Sequence, residues 1–144
     1  MTSPEYQTLI EYRLEQSRSA LRQARLLLDA GEPSGAVNRG YFAMFYAALA
    51  LLLSKGLGSG KHSGVLALVD REFVRLGLMA PEMSAALRDA CNQRQRFDYA
   101  ELTLPSETQA QRIVANAETF LAAVIQVLAR SSATPHSPPL RTVE

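Results

Sequence analysis

The stretch "SGAVNRGYFAMFYAALALLLSK", residues 34–55, decides the fold of this chain, because it is apolar nearly all round at helical spacing. A helix without a polar face has to be covered on every side. We therefore expect it to be the central, most buried helix of the domain. "GEPSG", residues 31–35, breaks the chain before it, and the glycine-rich "GLGSGKHS", residues 56–63, follows it.

In the rest of the chain, apolar residues also recur at helical spacing, and no segment shows the pattern of a strand. A first helix is capped by Ser3 and Pro4 and keeps one apolar face to about Ala30. A third follows Ser63 and stops near Gly77, with its predicted apolar face formed by Leu66, Val69, Phe73 and Leu76.

Two more helices complete the predicted domain. Pro81 starts a fourth, and Ser106 with Gln109 forms a capping box that starts a fifth. These signals predict an all-α fold, an up-and-down antiparallel bundle of about five helices over residues 1–130. Residues 131–144 are polar and proline-rich, which predicts a disordered tail.

Composition limits the function classes. The chain has 144 residues, is 47% hydrophobic and 20% charged, and has a formal net charge of +1, as an ordinary globular domain does. The single cysteine rules out an intramolecular disulfide and suits a reducing compartment. Its longest apolar run, residues 41–53, falls short of the roughly 20 residues of a membrane span. We expect a soluble, cytoplasmic protein with no membrane association, and no metal or cofactor.

The loop "GLGSGKHSG", residues 56–64, looks like a phosphate-binding loop but fails its requirements. A Walker-type loop needs a glycine where Lys55 stands, and a serine or threonine where His62 stands. It also needs a strand before it, and here a helix precedes it. Lys61 and His62 at a helix start could still hold an anion. We favour a glycine C-cap after Lys55 followed by a serine-capped helix start.

Two arginines interrupt apolar stripes. Arg39 opens the most buried helix, and Arg94 continues the inward stripe of the fourth helix. Because arginine stays charged, each needs a partner or a cleft that reaches solvent. Asp98, one turn after Arg94, offers an ion pair that would act only as a clamp. The alternative is a polar pocket with two guanidinium groups for phosphate, beside the carboxylate of Asp98 and the phenol of Tyr99.

For two other patterns, a structural interpretation is favoured over a functional one. Arg18, Arg22 and Arg25 line one face of the first helix, where a basic stripe can track phosphates. Glutamates upstream on the same line favour intrahelical ion pairs instead. The aromatic residues of the central helix favour core and dimer packing over a base-stacking platform, since stacking needs exposure; they are Tyr41, Phe42, Phe45 and Tyr46.

Three separated segments carry a family resemblance: "NRGYFAMFYAALALLLSKG", residues 38–56, "KHSGV", residues 61–65, and "RQRFDYAE", residues 94–101. In order and spacing they resemble the small bacterial and archaeal branch of the HEPN domain family, over about residues 13–130. The resemblance implies a compact helical bundle that forms a homodimer. It also implies partnership with a minimal nucleotidyltransferase, in a toxin–antitoxin or related defence module.

Many HEPN proteins are metal-independent ribonucleases that use an arginine followed, after four to six residues, by a histidine. Arg94 matches that arginine, whereas Asp98 occupies the neighbourhood of the histidine. An aspartate does not titrate near neutral pH, which weakens the case for a nuclease. His62 could be recruited across a cleft, although its position predicts a helix cap; His136 lies in the tail. In some members the partner enzyme adds a nucleotide to a tyrosine near the motif histidine; we carry this role onto Tyr99, although its spacing differs from that of the family.

Three hypotheses follow. In the first, Arg39 and Arg94, with Lys61 and His62, bind RNA or a nucleotide, and the protein acts with a nucleotidyltransferase. In the second, it is a ribonuclease in which Arg94 stabilises the phosphorane and Asp98 or His62 handles the proton. In the third, the arginines only clamp a structural bundle. We expect the second and fourth helices to form the dimer face, because they carry Arg39 and Arg94.

Overall fold

The computed structural model describes the backbone of residues 3–99 and 104–132, and the side chains of residues 4–96 and 104–130. Over these residues it contains five α-helices and no strand, so the predicted all-α bundle is confirmed. The helices are α1 (Ser3–Asp29), α2 (Pro33–Leu53), α3 (His62–Val69), α4 (Pro81–Tyr99) and α5 (Glu107–Ser132). Of the predicted disordered tail, residues 131 and 132 belong to α5, and the remainder lies outside the described residues.

Helix α2 is the centre of the bundle, as its sequence predicts. It packs against each of the other four helices, and most of its side chains are buried. Its alanines are small enough for the neighbouring helices to approach closely; Ala43, Ala47, Ala48 and Ala50 have no exposed surface. On the α1 side, the buried hydroxyl of Ser17 donates a hydrogen bond of 2.7 Å to the carbonyl oxygen of Ala43.

The loop after α2 confirms the glycine C-cap and corrects the serine start. Gly56 has a φ of 67°, and the N–H of Leu57 donates to the carbonyl of Leu52, as in a Schellman motif. The N-cap of α3 is Lys61, which makes no side-chain capping bond. The hydroxyl of Ser59 instead accepts a hydrogen bond from the N–H of Lys61. Ser59 thus stabilises the turn that precedes α3, and it does not cap α3.

The third helical segment departs from its predicted apolar face. The α-helix ends at Val69 and continues as one π-helical turn over Asp70–Val74, in which the N–H of Arg75 donates to the carbonyl of Asp70. A π-helical turn takes more residues per turn than an α-helix, so later positions rotate away from the original face. Leu76 consequently points outward with 61% of its surface exposed, whereas Phe73 is buried.

The capping box at the start of α5 is confirmed. The N–H of Ser106 donates to the side-chain carbonyl of Gln109 at 2.7 Å, and the N–H of Gln109 donates to the hydroxyl of Ser106 at 3.0 Å. These reciprocal bonds satisfy two donors that a helix start leaves without partners. They fix where α5 begins to pack against α2.

By length and composition, two helices of the described chain are apolar enough to cross a membrane: α2 and the stretch Glu107–Arg130 of α5. Such helices are weak evidence for a membrane span, because the core helix of a soluble protein meets the same criterion. In α2, 67% of the apolar window is buried inside the bundle. Its apolar character is therefore explained by its central position.

Close contact between α2 and α5 at Gly40 yields a stability prediction. A Cβ atom at Gly40 would lie 3.0 Å from Cγ2 of Ile113, which leaves no room for two further methyl groups. We expect Gly40→Val to lower the free energy of unfolding by roughly 1–3 kcal/mol through overpacking. Urea denaturation followed by circular dichroism measures this.

The matched control is Gly58→Val, since a Cβ at Gly58 meets no atom within 4 Å and its φ is not positive. It should retain the wild-type midpoint. An equal loss in the two variants would show that β-branching, and not the contact with Ile113, causes the effect.

Candidate functional site

Four aromatic side chains of α2 form the base of the candidate site. Tyr41 is fully buried and Phe45 nearly so, whereas Phe42 and Tyr46 are half-buried. Their rings contact one another, with Tyr41 edge-on to Phe42 at 5.2 Å between centroids. The predicted core packing therefore holds for Tyr41 and Phe45. Phe42 and Tyr46 lie on a part of α2 that the other described helices leave partly uncovered.

His62, the first residue of α3, docks on this aromatic base. Its imidazole stacks on Phe45 with a centroid distance of 4.1 Å and an interplanar angle of 28°. The hydroxyl of Tyr41 lies 2.8 Å from Nδ1 of the ring, within hydrogen-bond distance. His62 is thus not the N-cap that its sequence position predicts. A neutral imidazole can both stack on a ring and form a hydrogen bond, and His62 does so with Phe45 and Tyr41.

Arg94 reaches the same rings from α4. Its guanidinium carbon lies 5.3 Å from the ring centroid of Tyr41 and 5.0 Å from that of Phe42. These distances are those of cation–π contacts. His62 also contacts both rings, so the structure brings Arg94 and His62 together although 31 residues (94 − 62 − 1) separate them in the sequence.

Arg39 approaches Phe42 from one turn earlier in α2. Its guanidinium carbon lies 5.5 Å from the ring centroid. Its Nε is buried and has no hydrogen-bond partner, and no described carboxylate forms an ion pair with Arg39. A buried donor without a partner is costly. Among the described residues, Arg39 therefore combines a contact with an aromatic ring and a buried donor that no described side chain satisfies.

The electrostatics of the site keep His62 neutral and Tyr41 protonated. Burial lowers the pKa of His62, and the positive charge of Arg94 lowers it further. Burial also raises the pKa of the Tyr41 hydroxyl, the thiol of Cys91 adds to this, and Arg94 opposes it. At pH 7 the site therefore contains two guanidinium charges beside an uncharged imidazole and an uncharged phenol.

The structure gives less detail for the remaining predicted site residues. Lys61 is exposed at the N-cap of α3, next to His62. Asp98 and Tyr99 belong to the last turn of α4, and their side chains lie outside the described residues, so the ion pair between Asp98 and Arg94 stays a prediction. His136 also lies outside the described residues.

The arginine stripe of α1 forms ion pairs, as we expected. Arg18 and Arg22 each lie 3.5 Å from a carboxylate oxygen of Glu15. Arg25 instead pairs with Glu118 of α5 at 2.8 Å, which makes this contact interhelical rather than intrahelical. Within the described part of the chain, no group of three or more histidine, cysteine or acidic residues has the geometry to hold a metal ion.

Sequence reasoning missed the role of the Tyr41 hydroxyl. Tyr41 was predicted to pack and not to form a polar contact, yet its hydroxyl lies within hydrogen-bond distance of the imidazole of His62. No local sequence pattern indicates this contact, because His62 lies 21 residues further along the chain (62 − 41). The only available signal was a tyrosine in a helix with no polar face, since a buried phenol usually finds a hydrogen-bond partner.

Known proteins resemble this chain over nearly its whole length. The HEPN domain model matches residues 10–128, which include Arg39, Tyr41, His62 and Arg94. A UPF0332 protein of Thermotoga maritima is 40% identical over 124 residues, which cover 86% of this chain and 94% of that protein. A protein of Methanocaldococcus jannaschii named "Putative toxin MJ0605" is 35% identical over 81% of this chain and 84% of its own length. A second protein of that organism, named "Putative toxin MJ0142", is 30% identical over 81% and 79% respectively. With a family match that spans most of the chain and relatives that align nearly end to end, this chain belongs to the HEPN domain family.

Proposed function

We propose that this protein is the HEPN component of a toxin–antitoxin or related defence module, and that it binds RNA or a nucleotide by its phosphate groups. The observation that carries the proposal is the convergence of Arg39 and Arg94 on the ring of Phe42, at 5.5 and 5.0 Å. The names of the two relatives from Methanocaldococcus jannaschii support the toxin assignment.

Electrostatics favour an anion at this point. Two guanidinium groups held against one ring repel each other, and no described carboxylate pairs with Arg39 to offset the repulsion. A phosphate would accept hydrogen bonds from the terminal N–H groups of the two guanidinium forks. Half-buried guanidinium groups bind phosphate more tightly than exposed ones, because water screens them less.

His62 and Lys61 extend the site toward α3. The imidazole of His62 contacts the rings that both arginines contact, and Lys61 adds an exposed positive charge at the start of the same helix. In this proposal Arg39 and Arg94 bind the phosphate group, while Lys61 and His62 contact the ligand at the edge of the site. Asp98 orients the arginines, and Tyr99 is the candidate position for modification by a nucleotidyltransferase partner in the cytoplasm.

A ribonuclease is the second candidate function, and one observation favours it. The HEPN motif expects a histidine soon after the arginine, and here His62 supplies an imidazole beside Arg94 from another helix. In that mechanism Arg94 stabilises the phosphorane, while His62 or Asp98 removes the proton from the 2′-hydroxyl. No metal is needed for this chemistry.

We also propose that the protein is a homodimer that uses the uncovered side of α2 together with α4. The half-buried residues of α2 follow helical spacing along one side: Arg39, Phe42, Tyr46, Leu49 and Leu53. A second copy would cover the apolar part of this stripe and place two arginine pairs near a common cleft. The partly exposed rings of Phe42 and Tyr46 support this arrangement.

The binding proposal predicts that Arg39→Ala and Arg94→Ala each weaken RNA binding roughly 10- to 100-fold, since a hydrogen bond to a charged group contributes about 1.5–3 kcal/mol. Fluorescence anisotropy with a labelled single-stranded RNA measures this, alongside circular dichroism to verify folding. Arg18→Ala, in the exposed stripe of α1, is the control and should bind as the wild type does. If Arg94→Ala keeps its affinity but melts at a markedly lower temperature, the arginine is a structural clamp.

The ribonuclease alternative predicts metal-independent cleavage of a cellular RNA pool that Arg94→Ala abolishes at unchanged RNA affinity. If His62 is the base, its neutral form is the active one. Because its pKa is lowered, the rate should rise as pH increases through a value below the ordinary 6.5 and then level off. Activity that is lost in Arg94→Ala but kept in His62→Ala would remove His62 from the mechanism. No cleavage by the wild type would reject this function.

The dimer proposal predicts that Leu49→Glu halves the mass measured by analytical ultracentrifugation, because a carboxylate would be buried in an apolar contact. Leu26→Glu introduces the same change on α1, where Leu26 is 70% exposed, and should leave the mass unchanged. A wild-type protein that sediments as a monomer at micromolar concentration would contradict the proposal.

A further inference from the structure

The Tyr41 hydroxyl decides which nitrogen of His62 carries the proton. It lies 2.8 Å from Nδ1, within hydrogen-bond distance. In such a pair either the phenol or the imidazole nitrogen can supply the proton. The phenol O–H is the more acidic donor, and a neutral imidazole nitrogen is a much more basic acceptor than a phenol oxygen. The hydroxyl therefore donates to Nδ1.

This direction fixes the tautomer of the ring. In a neutral imidazole one nitrogen is a donor and the other an acceptor. Since Nδ1 accepts from Tyr41, the proton resides on Nε2. A half-turn flip of the ring would place Cδ2 where Nδ1 lies, which would remove this hydrogen bond although the stack on Phe45 at 4.1 Å would be kept.

Nε2 is the ring nitrogen left for a ligand. It makes no hydrogen bond to a described residue, and it does not belong to the buried polar atoms that lack a partner. A ring nitrogen that is neither bonded nor fully buried keeps its donor for a ligand. The ring that carries it contacts the same two aromatic rings as Arg94.

The charges around the ring oppose its protonation. Helix α3 packs against α2, α4 and the π-helical turn. From α2 the ring meets the uncharged Tyr41, from α4 it meets the positive Arg94, and Lys61 precedes it in the chain. No carboxylate of the π-helical turn, or of any other described element, forms an ion pair or a hydrogen bond with His62. Burial and Arg94 both lower its pKa, so the neutral form persists through the physiological range.

We infer that Tyr41 is a positioning residue for His62, which it holds as a neutral imidazole that offers Nε2–H as a third donor to the phosphate at Arg39 and Arg94. This inference rests on the proposed function for the identity of the ligand, and on the described contacts for the state of the ring. His62 then acts as a binding group whose donor does not depend on protonation. In the same state its Nε2 has no lone pair to act as a general base, which favours binding over His62-assisted cleavage.

The two histidines of the chain make a direct test simple. A long-range ¹H–¹⁵N spectrum of ¹⁵N-labelled full-length protein reports the protonation of each ring nitrogen, and His136→Gln assigns the two signals. For wild-type His62 we expect an unprotonated Nδ1, a protonated Nε2 and a titration midpoint below that of His136. A protonated Nδ1, or a midpoint at or above that of His136, would overturn the inference.

Tyr41→Phe tests the role of the hydroxyl while keeping the buried ring. We expect the fixed tautomer to be lost, with both nitrogens averaging between the two forms. Tyr12→Phe makes the same chemical change on α1, where Tyr12 is 57% exposed, and should leave His62 unchanged. A single Nε2–H tautomer that persists in Tyr41→Phe would show that Tyr41 does not position the ring.

Titration with inorganic phosphate separates this inference from the proposed function. With wild-type protein, phosphate should shift the Nε2 signal of His62, and His62→Ala should bind phosphate about fivefold more weakly, since one hydrogen bond contributes about 1 kcal/mol. The expected tautomer in a protein that binds neither phosphate nor RNA would reject the proposed function and, with it, the third-donor role of His62. Phosphate binding by the arginines without a response at His62 would reject the inference alone.

Discussion

The need to cover helix α2 on every side is the constraint on which the rest of the structure depends. Each fully buried large side chain contributes about 1.5–3 kcal/mol relative to an exposed one, so exposing even one side of α2 would remove much of a domain's stability. Four helices therefore surround it, and its alanines let them approach. Where the coverage is incomplete, α2 presents Arg39 and the half-buried ring of Phe42. The site lies where the core meets solvent.

Local chemistry explains which parts of the fold the sequence predicts. The central place of α2 follows from its lack of a polar face, and the start of α5 follows from the pairing of Ser106 with Gln109. The C-cap at Gly56 follows from its place after a long helix. The outward turn of Leu76 was not predictable, because an α-helix and a π-helical turn share the same residue preferences. The turn also makes contacts that local patterns do not report, such as the one between Lys55 and the ring of Phe73.

The residues of the site also divide into those that a local sequence signal predicts and those that it does not. Arg39 and Arg94 could be found because a charge on an apolar stripe is a local anomaly. His62 could not be placed, because its contacts with Tyr41 and Phe45 join residues 21 and 17 positions apart (62 − 41 and 62 − 45), across a glycine-rich loop. At a helix start, a histidine that caps and a histidine that packs have the same sequence pattern. Only the tertiary arrangement distinguishes them.

The origin of the imidazole has a physical consequence for the site. In the HEPN motif the histidine follows the arginine after four to six residues, so the two lie close together along the chain. Here Asp98 follows Arg94 after three residues, and the imidazole beside Arg94 comes from α3. The distance between Arg94 and His62 is then set by how α3 packs on α2, through the stack on Phe45 and the hydrogen bond to Tyr41. The place of the imidazole in the site therefore depends on two tertiary contacts, whereas that of a motif histidine depends on its spacing along the chain.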